Sequence, residues 1–239
     1  DQMNGYILKP TNFDPSKRYP VVMSQYSGPG SQSVLDKWTI DWEYYLVSKG
    51  FIVACVDGRG TGGRSRAYET SVYMQLGKLE TEDQVAGAEY MRTLPYVDDK
   101  HIGIYGWSYG GYETLMAMST SNGTYQAGVA IAPVTDWRYY DTIYAERFMR
   151  TPNENNEGYE QSAPITHAEK LKGDLLIISG TADDNVHYLN TLQYSAALIE
   201  AGIQFDTQIY TNKDHHIRGC NTRHHLYTKV CNFFLDKLK

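Results

Sequence analysis

Positive charge is in short supply: 22 Lys and Arg stand against 28 Asp and Glu, for a formal net charge of −6. A chain of that sign lacks the basic footprint that phosphate backbones require, so nucleic acid is not expected as a partner. Long hydrophobic runs are missing as well, and no apolar stretch approaches membrane-spanning length. Cysteine is scarce. Cys55, Cys220 and Cys231 are odd in number and lack metal-ligand spacing, so no intrachain disulfide and no metal site are expected. The chain opens at Asp1 with neither an initiator methionine nor the basic and apolar regions of a secretory leader, as expected of a processed or excised piece. Compartment is unreadable from that end. Repeats, low-complexity tracts and linkers are absent too. With 239 residues and 41% hydrophobic content, one domain spanning residues 1–239 is expected.

What is present is a recurrence of short apolar runs: Tyr19–Tyr26, Phe51–Val56, His101–Tyr105, Gly128–Val134, Leu175–Ser179 and Phe205–Tyr210. They predict strands of a largely parallel sheet buried on both faces, with helices between them in a βαβ alternation. Trp38–Lys49 reads as a helix ended by Gly50, a left-handed cap. Thr81 with Gln84 gives a capping-box signature for another. Between Val186 and Gly202 the spacing of Leu189, Leu192, Ala196 and Ile199 predicts one buried helical face. Thr222–Lys239 is expected to close the chain as a helix. Ahead of the first strong strand, Asn4-Gly5 and the Pro10–Pro15 segment read as turns linking short edge strands.

The most specific local signal is Gly106-Trp107-Ser108-Tyr109-Gly110, a G-x-S-x-G pattern between a predicted strand and a predicted helix. A sharp strand-to-helix turn pushes the Ser108 hydroxyl outward at the carboxyl edge of the sheet. The Tyr109 amide and the helix N-terminus then face a developing oxyanion. A serine nucleophile needs a base, and the base needs an acid to fix its tautomer, in the chain order Ser, Asp, His for such a fold. The polar loop Gly180-Thr181-Ala182-Asp183-Asp184-Asn185 follows one strand, and Asp214-His215-His216 follows the next. Both loops fall at the active edge. Spacing alone leaves Asp183 against Asp184, and His215 against His216, undecided. Either aspartate would also serve as an ordinary helix cap.

Other patterns point less far. His215, His216, His224 and His225 flank Cys220, but the intervals are not those of a zinc site. Gly58-Arg59-Gly60-Thr61-Gly62-Gly63 matches G-x-G-x-x-G, yet a dinucleotide fingerprint opens directly into a helix, and the Arg64–Tyr68 segment is polar and not clearly helical. No cofactor is expected. Asn122-Gly123-Thr124 is formally a sequon and reads more simply as a turn after a helix.

Taken together, Gly106-Trp107-Ser108-Tyr109-Gly110-Gly111, Gly180-Thr181-Ala182-Asp183-Asp184-Asn185-Val186 and Asp214-His215 closely resemble the prolyl oligopeptidase family, specifically its dipeptidyl peptidase IV branch. The likeness runs from Tyr19-Pro20-Val21 through Tyr26-Ser27-Gly28-Pro29 and Asp57-Gly58-Arg59-Gly60 to the terminal helix. It implies an α/β-hydrolase fold, a mostly parallel central sheet with helices on both faces. It implies Ser108 as nucleophile, Asp183 as acid and His215 as base, with the Tyr26 hydroxyl and the Tyr109 amide receiving the oxyanion. Tyr140, Tyr144, Trp137, Val134 and Val186 match the family's apolar slot, and Asn185 and Arg147 its polar contacts to the peptide backbone. Proline is rigid, apolar and without an amide hydrogen, so an aromatic slot selects it by shape.

The resemblance further implies peptide substrates with proline or alanine at the second position and an upstream β-propeller in the parent protein. It also implies pairing of two copies through the hydrolase domain and a periplasmic or other extracytoplasmic setting. Two departures stand out. His216 occupies a position where the family usually has glycine, which predicts an altered loop backbone, and nothing here corresponds to the propeller. Rival expectations are an esterase or lipase using the same triad, and a catalytically silent hydrolase fold kept as an interaction module.

Overall fold

The computed structural model describes residues 2–39 and 41–239. Asp1, and Ile40 within the span read as helical, lie outside the described residues. The described strands are β1 (Asn4–Leu8), β2 (Tyr19–Ser24), β3 (Ile52–Asp57), β4 (Val97–Trp107), β5 (Ala127–Ile131), β6 (Asp174–Gly180) and β7 (Asp206–Tyr210). The helices are α1 (Glu43–Ser48), α2 (Arg66–Thr70), α3 (Lys78–Arg92), α4 (Tyr109–Thr120), α5 (Thr142–Met149), α6 (Asn156–Gln161), α7 (Leu189–Glu200) and α8 (Thr222–Lys237). All seven strands join one sheet in the order β1-β3-β2-β4-β5-β6-β7, parallel throughout except for β1, which runs antiparallel to β3 at the edge.

Continuous apolar strands are what a sheet covered on both faces needs, and the side chains divide by the period of two. Val21, Met23, Ile52, Ala54, Leu175 and Ile177 join a core with Ala88 and Met91 of α3, Leu115 and Met118 of α4, and Tyr194 and Leu198 of α7. Their alternates Val22, Val53, Leu176 and Ile178 meet Leu46 and Val47 of α1 and Leu226, Val230 and Phe234 of α8. A third cluster of buried aromatics, Tyr109, Tyr112, Trp137 and Tyr159, sits against α4 and α5.

Four expectations are corrected. Asn4-Gly5 is no turn. It lies inside β1, paired with Asp57 and Val56, and a Cβ at Gly5 would come within 2.8 Å of the Cys55 carbonyl oxygen. The helix expected from Trp38 starts only at Glu43, and upstream the Ser33 and Val34 amides donate to the Asp57 carboxylate. Gly50 does sit at φ 87° just beyond that helix. On α7 the buried side chains are Asn190, Thr191, Tyr194 and Leu198, whereas Leu189, Leu192, Ala196 and Ile199 are exposed. Polar partners decide that orientation: Asn190 Oδ1 accepts from the Thr135 amide at 2.9 Å, and Thr191 pairs with Ser179 at 2.5 Å.

The capping box fails likewise. α3 begins one turn earlier, with Gly77 as its cap at φ 80°. The Thr81 hydroxyl donates back to the Gly77 carbonyl, and Gln84 Nε2 donates to Ser27 Oγ.

Candidate active site

The turn between β4 and α4 is shaped by close backbone approach. A Cβ at Gly106 would overlap the Gly110 carbonyl, and one at Gly110 would sit 2.6 Å from the Gln25 carbonyl oxygen. Gly110→Ala is therefore expected to destabilise the domain by about 1–3 kcal/mol, seen as a lower denaturant midpoint at unchanged slope. An unchanged midpoint would show that the turn has room to spare.

At the apex Ser108 adopts φ 59°, ψ −115°, a sparsely populated conformation for a residue with a Cβ. Its amide donates to the Ile131 carbonyl at 2.8 Å and its carbonyl accepts from the Tyr112 amide at 2.9 Å, so both sides of the turn are tethered. The next residue, Tyr109, opens α4, where first-turn amides have no intrahelical acceptor. The Tyr26 phenol lies within interacting range of the Ser108 hydroxyl. Burial raises its pKa, and the contact with Ser108 opposes the rise.

The loop after β6 presents Asp183, whose side chain is 1% exposed. Asp183 Oδ1 accepts the amides of Asn185 at 3.0 Å and Val186 at 2.9 Å. Oδ2 lies 2.8 Å from His215 Nδ1, which donates to it in the tautomer carrying its proton there. Asp184 and His216 are both exposed. Asp183 thus does two things at once: it caps its own loop and orients an imidazole. Among the described residues no hydrogen bond joins Ser108 to His215.

The aromatic residues converge beside this pair. Trp137 and Tyr144 stack at 5.8 Å, and Tyr140 stands edge-on to Tyr144 at 5.3 Å. Val134, Trp137 and Val186 are buried beneath them. The Tyr140 hydroxyl donates to Asn185 Oδ1 at 2.7 Å, which links this wall to the Asp183 loop. Arg147 is exposed in the last turn of α5, close enough to Tyr144 for its charge to oppose the rise that burial imposes on that phenol. The φ of His216 is not positive, and the left-handed position in this loop belongs to Ile217 at φ 48°. His216 packs its ring edge-on to His215 at 5.9 Å.

Residues 38–239 match the model of the prolyl oligopeptidase family. The chain belongs to that family. Dipeptidyl peptidase 4 of Sus scrofa is 41% identical over 231 residues, which is 95% of this chain and 30% of that protein. Probable dipeptidyl-aminopeptidase B of Metarhizium robertsii is 42% identical over 98% of this chain and 26% of its own length. The crystal structure of Porphyromonas gingivalis dipeptidyl peptidase 4 superposes with a TM-score of 0.97 at 57% identity, covering 99% of this chain and 34% of that one. The chain thus spans about a third or less of these relatives. The chain has the α/β-hydrolase fold, and within the family it resembles the dipeptidyl peptidase IV branch.

Three residues of this prolyl oligopeptidase-family site escaped the sequence reading. Trp107 Nε1 donates to the His215 carbonyl at 3.0 Å and latches the histidine loop to the residue before Ser108. Buried Gln25 donates through Nε2 to the Gly110 carbonyl at 2.8 Å, fixing the backbone that carries Tyr26 against α4. Glu80, fully buried, accepts the Tyr109 hydroxyl at 2.7 Å, and burial pushes its carboxyl up to about 7. Neither Trp107 nor Glu80 stood out by composition. Gln25 carried one signal, as an amide side chain just beyond the apolar run Val21–Met23.

Proposed function

We propose that the domain cleaves peptides after a proline or alanine near the N-terminus, in the manner of a dipeptidyl peptidase, through an acyl-enzyme on Ser108. The observation that carries the reading is the 2.8 Å pairing of buried Asp183 with His215, latched by Trp107 beside the Ser108 turn. Ser108 Oγ attacks the scissile carbonyl carbon while His215 Nε2 takes its proton. Asp183 holds the imidazole in the tautomer that leaves Nε2 free and stabilises the imidazolium that forms. The Tyr26 hydroxyl and the Tyr109 amide receive the oxyanion, whose charge grows only as the transition state is approached. The intermediate then collapses: the C–N bond breaks, His215 returns the proton to the leaving amine, and water repeats the sequence to free the acid.

Tyr140, Tyr144 and Trp137, floored by Val134 and Val186, form a slot that suits a pyrrolidine ring. Asn185 and Arg147 supply polar contacts to the peptide backbone. A further domain in the parent protein, of the β-propeller kind, would limit access and hold the free amino terminus.

The full-length protein is expected to hydrolyse a chromogenic dipeptide amide with proline second at least about tenfold better, in kcat/KM, than the same amide with valine second, because a rigid slot penalises a poorly fitting side chain by roughly 1–3 kcal/mol. Efficient hydrolysis of short acyl esters with no turnover of either amide would replace this reading with that of an esterase. Failure of Ser108 to label with a fluorophosphonate would leave the silent module.

A further inference from the structure

Beneath the nucleophile helix, two carboxyl groups are sealed from solvent. Glu80 in the first turn of α3 and Glu113 on α4 are both fully buried, and in each Oε2 has no hydrogen-bond partner. Desolvating a carboxyl without full compensation is unfavourable, so the contacts each does make show what it serves. Glu113 Oε1 lies 2.8 Å from the Thr81 hydroxyl oxygen, a contact that joins α4 to α3. Glu80 Oε1 accepts the Tyr109 hydroxyl at 2.7 Å. The Tyr109 ring lies 6.2 Å from that of Tyr26, 5.1 Å from Tyr112 and 5.5 Å from Trp137. One side chain therefore bridges Tyr26, beside Ser108, and Trp137 of the aromatic slot, and its far end is held by a single acceptor.

We propose that Glu80 is a positioning residue of the peptidase site: by holding the Tyr109 hydroxyl, it sets both the first amide of α4 and the ring against which Tyr26 and Trp137 rest. The inference rests on the serine-peptidase reading above. The hydrogen bond asks only for an acceptor oxygen at Oε1, which an ionised carboxylate, a carboxyl protonated on Oε2 and a glutamine amide all provide. Leucine at the same place provides none.

The test measures kcat and KM on the prolyl dipeptide amide, per fluorophosphonate-labelled site, in the full-length protein. Glu80→Leu is expected to lower kcat about 10- to 100-fold with KM within about threefold, because the oxyanion contact forms in the transition state. Glu80→Gln should restore kcat to within about threefold of the native enzyme by retaining the acceptor. Tyr109→Phe should match Glu80→Leu, and the double variant should be no worse than either, since the two act through one bond. Glu113→Gln, an equally buried change one turn along α4 at a carboxyl that bonds Thr81 and not Tyr109, should stay near native.

Unchanged kcat in Glu80→Leu or Tyr109→Phe, losses that multiply in the double variant, or an equal loss in Glu113→Gln would overturn the proposal. If Glu80→Leu does not fold, Tyr109→Phe decides alone. Native protein that hydrolyses only the ester would overturn the peptidase reading and not this one, and the same variants are then compared on the ester.

Discussion

Replacing Ser108 with alanine is expected to reduce kcat on a prolyl dipeptide amide by roughly three to six powers of ten and to abolish fluorophosphonate labelling. The change deletes the oxygen proposed to attack and little else. The turn is tethered through backbone groups, by the Ser108 amide to Ile131 and the Ser108 carbonyl to Tyr112, so its shape does not depend on the hydroxyl. KM should therefore move by no more than a few-fold, because the aromatic slot and its polar rim are untouched. Turnover within tenfold of native would remove Ser108 from the reaction.

Asp183→Asn should cost roughly four powers of ten in kcat while leaving stability almost unaltered. The reason lies in which way the new amide must face. The backbone N–H groups of Asn185 and Val186 both donate to Oδ1, so the asparagine oxygen is held there and its NH2 is turned toward His215 Nδ1. A donor facing Nδ1 requires that nitrogen to accept, which places the imidazole proton on Nε2 and leaves no lone pair for the Ser108 proton. Comparison of kcat with the thermal midpoint checks both halves. A variant with near-native kcat would show that His215 does not depend on Asp183 for its tautomer.

Much of the layered architecture could be read from the chain because strands buried on both faces have a signature that needs no tertiary knowledge. β5 and β6 are almost wholly apolar, and their residues divide between the two cores by alternation alone. The Ser108 turn was legible because its G-x-S-x-G pattern stands between a strand and a helix, and its glycines clear backbone both within the turn and across to Gln25. Periodicity failed on α7, where buried Asn190 and Thr191 outweigh an apolar stripe once their hydrogen-bond partners in other elements are known. Thr81 and Gln84 misled in the same way: their side chains answer to Glu113 and Ser27, both distant in sequence. Asp183 and His215 were separable from their neighbours only through a resemblance, because the choice depends on which carboxylate is buried. Trp107 and Glu80 act through single long-range bonds, a kind of information that no window of sequence contains.

The backbone distortion at Ser108 has a consequence for how such a domain would fail under stress. An unfavourable torsion pair survives only while its surroundings over-determine it, and here those surroundings are the ends of β4 and β5 together with the first turn of α4. Any loosening at that rim lets the serine relax into an ordinary turn, well before the layers behind it separate. Inactivation by heat or denaturant would therefore begin as a small slackening at one corner, with the bulk of the molecule still intact.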